Sequence, residues 1–175
     1  MKIVNIKFLA IALLVLITSV KSYSQISKAE IMATGLTCSM CSNAINKQLK
    51  AMPEVDSVGT DLNTNTFTVY FKKNSPLQPK VLKNAVEKAG FFVGSMVLTM
   101  PFDNLKVEDN SVVKKGDASF VFIDTKAQIL SGETRVKISD KGFVTQKEYK
   151  KLVKSYSKYP TYAVEKENEY HVKTL

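Results

Sequence analysis

Over residues 26–99 the spacing of apolar residues switches between two periods in one order: strand, helix, strand, strand, helix, strand. Residues 28–33 read as a short strand that ends at Gly35. Ile45, Leu49 and Met52 recur at helical spacing and predict a helix over 41–52, which Pro53 stops. Residues 55–62 are extended, and Asn63-Thr64-Asn65 makes a turn. Phe67, Val69 and Phe71 then alternate with Thr66, Thr68 and Tyr70, as in a half-buried strand. Pro79 suits the first turn of a second helix, whose Leu82, Val86 and Ala89 share one face with Val81 and Ala85 beside it. Gly90 supplies the residue after that helix, and 91–100 is the last strand. The order predicts an α+β chain that begins with a βαββαβ, ferredoxin-like unit: two helices on one face of a four-stranded antiparallel sheet.

Pro101 marks a boundary, and the polar stretch 101–110 links to a second unit or begins it. Residues 111–115, 119–124 and 134–139 read as strands, with Ser131-Gly132 as the turn before the third. Thr145 and Glu148 have the spacing of a capping box, and Tyr149, Leu152, Val153 and Tyr156 form one stripe of the helix that follows. Pro160 ends it, and 162–164 pairs with 170–174 as a hairpin. The expected order βββαββ is that of a small OB-like barrel.

The first 24 residues read as an address rather than as fold. Lys2 and Lys7 precede an uncharged run over 8–20, which is short for a hydrocarbon core of ~30 Å. Ser22-Tyr23-Ser24 places small residues for cleavage, and with no Cys nearby a lipid anchor is disfavoured. The expected division is a leader at 1–24, a first domain at 25–100 and a small β-rich domain at 101–175, exported to the periplasm or outside the cell. Removing the leader takes away Lys2, Lys7 and Lys21, so 22 bases face 16 acids and the charge falls from +9 to +6. Part of the basicity therefore belongs to the leader, and nucleic acid is a poor partner for an exported chain.

Two cysteines are too few for a disulfide-rich scaffold, and one histidine excludes a multi-histidine zinc site. Both cysteines fall in Gly35-Leu36-Thr37-Cys38-Ser39-Met40-Cys41-Ser42, between the first strand and the first helix. Cys41 opens the helix and Cys38 lies in the loop just ahead, so both sulfurs can converge on the helix N-terminus. Free backbone N–H groups and the positive end of the helix dipole favour thiolate there. Two thiolates around one monovalent ion carry a single net negative charge, and soft thiolates select Cu(I).

In this context GLTCSMC resembles the heavy-metal-associated (HMA) domain family, whose loop reads Gly-Met-Thr-Cys-x-x-Cys. The resemblance covers residues 27–99. It implies a ferredoxin-like fold, Cys38 and Cys41 as ligands of an accessible two-coordinate metal, and transfer between proteins by ligand exchange. Leu36 stands where the family usually has Met, a volume-conserving change. Thr37 stands where members for divalent zinc or cadmium often carry Asp, which favours a monovalent or linearly coordinated ion. Phe91 stands where soluble copper chaperones commonly have Lys or Tyr, and looks more like the metal-binding domains of transport ATPases. Its role is an apolar wall beside the site or plain core packing.

The remaining residues carry less. A disulfide between Cys38 and Cys41 would close a very short loop and stabilise little, and a thioredoxin-like oxidoreductase lacks support from the strand order. Met40 offers a thioether or an apolar contact rather than a ligand. Met32, Met52, Met96 and Met100 are scattered over core and strand positions. His171 reads as structural or exposed. The lysines at 147, 150, 151, 154 and 158 read as a solvated helix face, with an acidic partner as the lesser alternative. No phosphate loop or catalytic constellation stands out. The expectation is therefore a non-enzymatic, exported metal-binding protein that captures or transfers Cu(I) through Cys38 and Cys41. Its partner would be a metal donor or acceptor such as a copper transporter, and a metal-bridged dimer is open. Periplasmic Hg(II) capture is the alternative in the same class, and a thiol–disulfide oxidoreductase the alternative among enzymes.

Overall fold

The structure is a computed structural model and describes residues 26–37, 39–73, 75–76 and 78–175. The first half runs β1 (Lys28–Thr34), α1 (Ser39–Lys50), β2 (Val55–Asp61), β3 (Thr66–Phe71), α2 (Pro79–Lys88) and β4 (Phe92–Val107). Its strands are antiparallel in the order β2-β3-β1-β4, as the ferredoxin-like reading requires. Alternation along β1 buries Ala29, Ile31 and Ala33, and β3 buries Phe67 and Val69. Ile45 and Leu49 of α1, and Leu82 and Val86 of α2, fill the same core. Each is the residue that helical spacing singled out.

The second half runs β5 (Val112–Lys115), β6 (Ala118–Phe122), β7 (Gln128–Ile138), α3 (Gln146–Ser155) and β8 (Glu169–Thr174). All eight strands described form one sheet, in the order β2-β3-β1-β4-β7-β8-β6-β5. β4 joins the halves. It pairs with β1 from Phe92 to Thr99 and with β7 from Val97 to Val107. The apolar core is continuous with it, from Ile31 and Ile45 through Met100 to Val136 and Val172.

Three expectations for the second half change. Pro101 lies inside β4, opposite Glu133, and 101–107 is strand rather than linker. Past Thr99 β4 has β7 on one side only, so a residue without an N–H fits there as it would at a sheet edge. Ser131-Gly132 is not a hairpin turn. It lies inside β7 opposite a bulge at Asp103-Asn104, where Asn104 has φ 44° and Gly132 has φ 66°. The strand expected at 162–164 is absent, which leaves βββαβ in place of the OB-like βββαββ. Residues 156–164 instead make successive turns, with Tyr159 N donating to Tyr156 O and Tyr162 N to Tyr159 O.

The sheet in this half curls on itself. Lys115, at the end of the far strand β5, donates to Pro101 O and sits 4.3 Å over the Phe102 ring in β4. Inside the sheet β8 pairs parallel to β6 and antiparallel to β7. Thr145 caps α3 by accepting from Glu148 N at 3.2 Å, as its spacing predicted. α3 then lays Tyr149, Leu152 and Val153 against a second cluster of Val121, Ile123, Tyr156, Tyr159 and Tyr162.

Candidate metal site at the β1–α1 loop

β1 ends at Thr34, and the chain turns at Gly35 with φ +89°, a conformation that glycine adopts without strain. Leu36 turns inward and packs against the main core. Thr37 is exposed, and α1 begins two residues later. Cys41 is its third residue and is half-buried. The first turn of α1 carries no acidic side chain, so the positive end of its dipole would favour a thiolate there without competition from a carboxylate. Cys38, the other expected ligand, lies outside the described residues.

The opposite wall comes from the end of α2. Gly90 has φ +90°, Gly90 N donates to Glu87 O at 2.9 Å, and Phe91 N donates to Val86 O at 3.2 Å. This Schellman pair stops the helix and aims Phe91 back at it. The Phe91 ring packs partly into the core, and a Cβ placed on Gly35 would lie 3.9 Å from its Cδ1. The two roles weighed for Phe91 are therefore one position: it is core on one side and a wall under the loop on the other.

Residues beyond the loop do not converge on it. Met40 is 81% exposed and points to solvent. Met96 and Met100 are buried in the core, and Met32 and Met52 are half-buried. His171 is buried in the second half, where both ring nitrogens have partners: Nδ1 with Asp140 Oδ1 at 2.7 Å and Nε2 with Thr161 Oγ1 at 2.9 Å. Burial pushes the Asp140 carboxyl above the usual aspartate range, and the hydrogen bond to His171 opposes that shift. Among the described residues no group of three or more His, Cys, Asp or Glu could hold a metal ion. Among them, too, no helix is long and apolar enough to cross a membrane.

One exposed residue beside the loop escaped the sequence reading. Phe92 follows Phe91 and is 68% exposed. Alternation at a strand start sends one ring of such a pair inward and the other out, so the signal was present in the doublet.

Residues 30–92 match the family described as heavy-metal-associated domain. Among solved structures, the yeast copper transporter domain CCC2A is 31% identical, over 37% of this chain and 86% of that one, with a TM-score of 0.34. The N-terminal domain of a potential copper-translocating P-type ATPase from Bacillus subtilis is 33% identical over 37% of this chain and 79% of that one, with a TM-score of 0.34. A CopZ metallochaperone is 24% identical over 38% of this chain and 98% of that one, with a TM-score of 0.36. No curated protein matches the chain.

Proposed function

The chain belongs to the heavy-metal-associated domain family through residues 30–92 and adds a β-rich C-terminal region, and on that premise we propose that it carries Cu(I) between Cys38 and Cys41 and exchanges the ion with a partner protein. The observation that carries the reading is Cys41 in the first turn of α1, next to the loop that β1 feeds. The amide groups of that turn stabilise a thiolate pair, and two soft sulfurs suit a monovalent soft ion. The relatives named for copper add support by analogy.

Transfer needs no redox step. A partner thiolate bonds to Cu(I), a three-sulfur intermediate forms, and one of this chain's sulfurs leaves and takes a proton. Met40 is placed to meet an incoming protein, because its exposed thioether costs little to bury. Export follows from the leader reading of residues 1–24. In an oxidising compartment the pair would lose two electrons and two protons to form a disulfide, so the carrier works only while reduced.

The test is an anaerobic titration of the reduced protein with Cu(I) against a chromophoric competitor. One tightly held ion is expected, lost in both Cys38→Ser and Cys41→Ser. A reduced wild type that fails to compete would overturn the copper reading and leave Hg(II) as the ion to titrate.

A further inference from the structure

A cleft of about 630 Å³ lies where the two halves of the chain meet. Thr34, Phe92 and Val93 wall it from the metal end, and Val144, Gln146 and Tyr149 from the start of α3. Thr34 is the last residue of β1, so the cleft opens at the base of the segment that leads from β1 to Cys41 in α1. Its walls are mostly apolar, and they include the exposed Phe92 ring, which water solvates at a cost.

The rim is mainly basic, with Glu87 the one acid among the residues that line the cleft. Lys147, Lys150, Lys151 and Lys154 recur at i, i+3, i+4 and i+7, which makes one exposed stripe along α3. Lys150 lines the cleft itself. Among the described residues none of the four forms an ion pair, whereas the nearby acids are engaged: Glu148 by Lys137 at 2.6 Å, and Glu87 with Lys83 at 3.8 Å. A second copy would bring the same positive stripe and be repelled. A flat lipid surface would meet the stripe and leave the concave apolar part empty. A protein segment with carboxylates flanking an apolar side chain fits both.

We propose that the cleft and the lysine stripe together dock the metal-exchange partner through such an acidic segment, with its apolar side chain between Phe92 and Tyr149. The proposal rests on the metal-transfer reading and gives the C-terminal region its part in it. The region adds a second foothold beside the cysteine loop, so that a partner engages while its thiolates approach the metal. The charges set the encounter rate and the choice of partner, and the apolar contact sets residence.

The test uses the reduced, metal-free, isotope-labelled protein and a synthetic peptide in which Glu-rich runs flank a Leu-Phe pair. A peptide with every Glu replaced by Lys and vesicles of phosphatidylglycerol are the other arms. Shifts are expected at Phe92, Val93, Val144, Tyr149 and Lys150, with binding that weakens as salt is raised. Lys147→Glu with Lys150→Glu should weaken it about tenfold or more, and Phe92→Ser should weaken it with the salt dependence kept. Shifts away from the cleft, no shifts, equal binding of the Lys peptide, or binding to vesicles alone would overturn the proposal. The peptide arm contains no metal, so it separates the two readings. Peptide docking in a protein that fails to hold Cu(I) would sink the metal reading alone. Retained Cu(I) with no docking would sink this one alone.

Discussion

A methyl group on Gly94 would stand 2.5 Å from Thr34 Cγ2 and 2.9 Å from Met32 Cε, so neighbouring side chains at the end of β1 would have to move. The position sits where the β1–β4 register shifts between Met32 and Ala33, and the bulge brings the two strands together there. Gly94→Ala should therefore destabilise the protein by about 1–3 kcal/mol through overpacking, read from the midpoint of urea unfolding. Asp140 offers a test with a sign. It accepts from His171 N at 2.6 Å and meets the His171 ring at 2.7 Å, yet burial raises its folded pKa. The folded state then holds a proton that the unfolded state has released, so stability falls as pH rises from the ordinary aspartate value toward the raised one. Asp109 acts in the opposite sense. A hydrogen bond from Tyr159, aided by Lys158, lowers its pKa, and its contribution is lost as pH falls through that lowered value. In Asp140→Asn, unfolding measured between about pH 3 and 6 should lose the downward component while keeping the upward one. The variant should also be less stable at neutral pH by about 1–3 kcal/mol, because a buried donor loses its partner. An unchanged pH profile would mean that Asp140 does not titrate in this window.

At the scale of elements, α3 has a side-chain cap. Thr145 caps it, and its stripe covers the tyrosine cluster while leaving none of its own residues fully buried. Thr145→Ala should cost about 1 kcal/mol and Thr145→Ser should restore it, by thermal melting at fixed pH. That cap was legible at once, because Thr and Glu three apart have a local meaning. So were α1, α2, β1 and β3, whose burial patterns repeat the sequence periods. The turn from β1 into α1 was legible for the same reason, since GLTCSMC reads as a loop at the start of a helix. β4 was legible only as far as Met100. Its continuation through Pro101 depends on pairing with β7, a strand distant in sequence, where Pro101 lies opposite Glu133. The run 156–164 was misread because Tyr156, Tyr159 and Tyr162 repeat every three residues, a spacing of successive turns rather than of strands. The parallel β6–β8 pair has no local signature at all; burial of Phe120 against Tyr170, 5.6 Å between ring centres, fixes it from the core side.

Across the whole molecule, β4 makes the metal-binding unit and the C-terminal region share a sheet and a core. α2 adds a second seam: Lys80 N meets Tyr170 Oη at 3.4 Å, and Lys83 Nζ sits 5.7 Å from the Phe143 ring centre. The two halves should then unfold together. Five of the seven tyrosines lie beyond residue 148 and report on the C-terminal region, whereas far-UV dichroism reports on α1 and α2 as well. Urea curves from tyrosine fluorescence and dichroism should coincide, and two separated midpoints would show that the halves fold independently. The same arrangement bears on growth of the sheet beyond one molecule. Had the chain stopped at residue 100, the outer flank of β4 would be bare. β7 covers it, and the flanks left at the ends of the sheet are β2 and β5. β2 sets Asp56, Gly59 and Asp61 toward water, and β5 is four residues long and finishes with two lysines. Short, charged flanks are poor templates for a further strand. Built this way, the sheet is guarded at both of its ends against seeding a fibre.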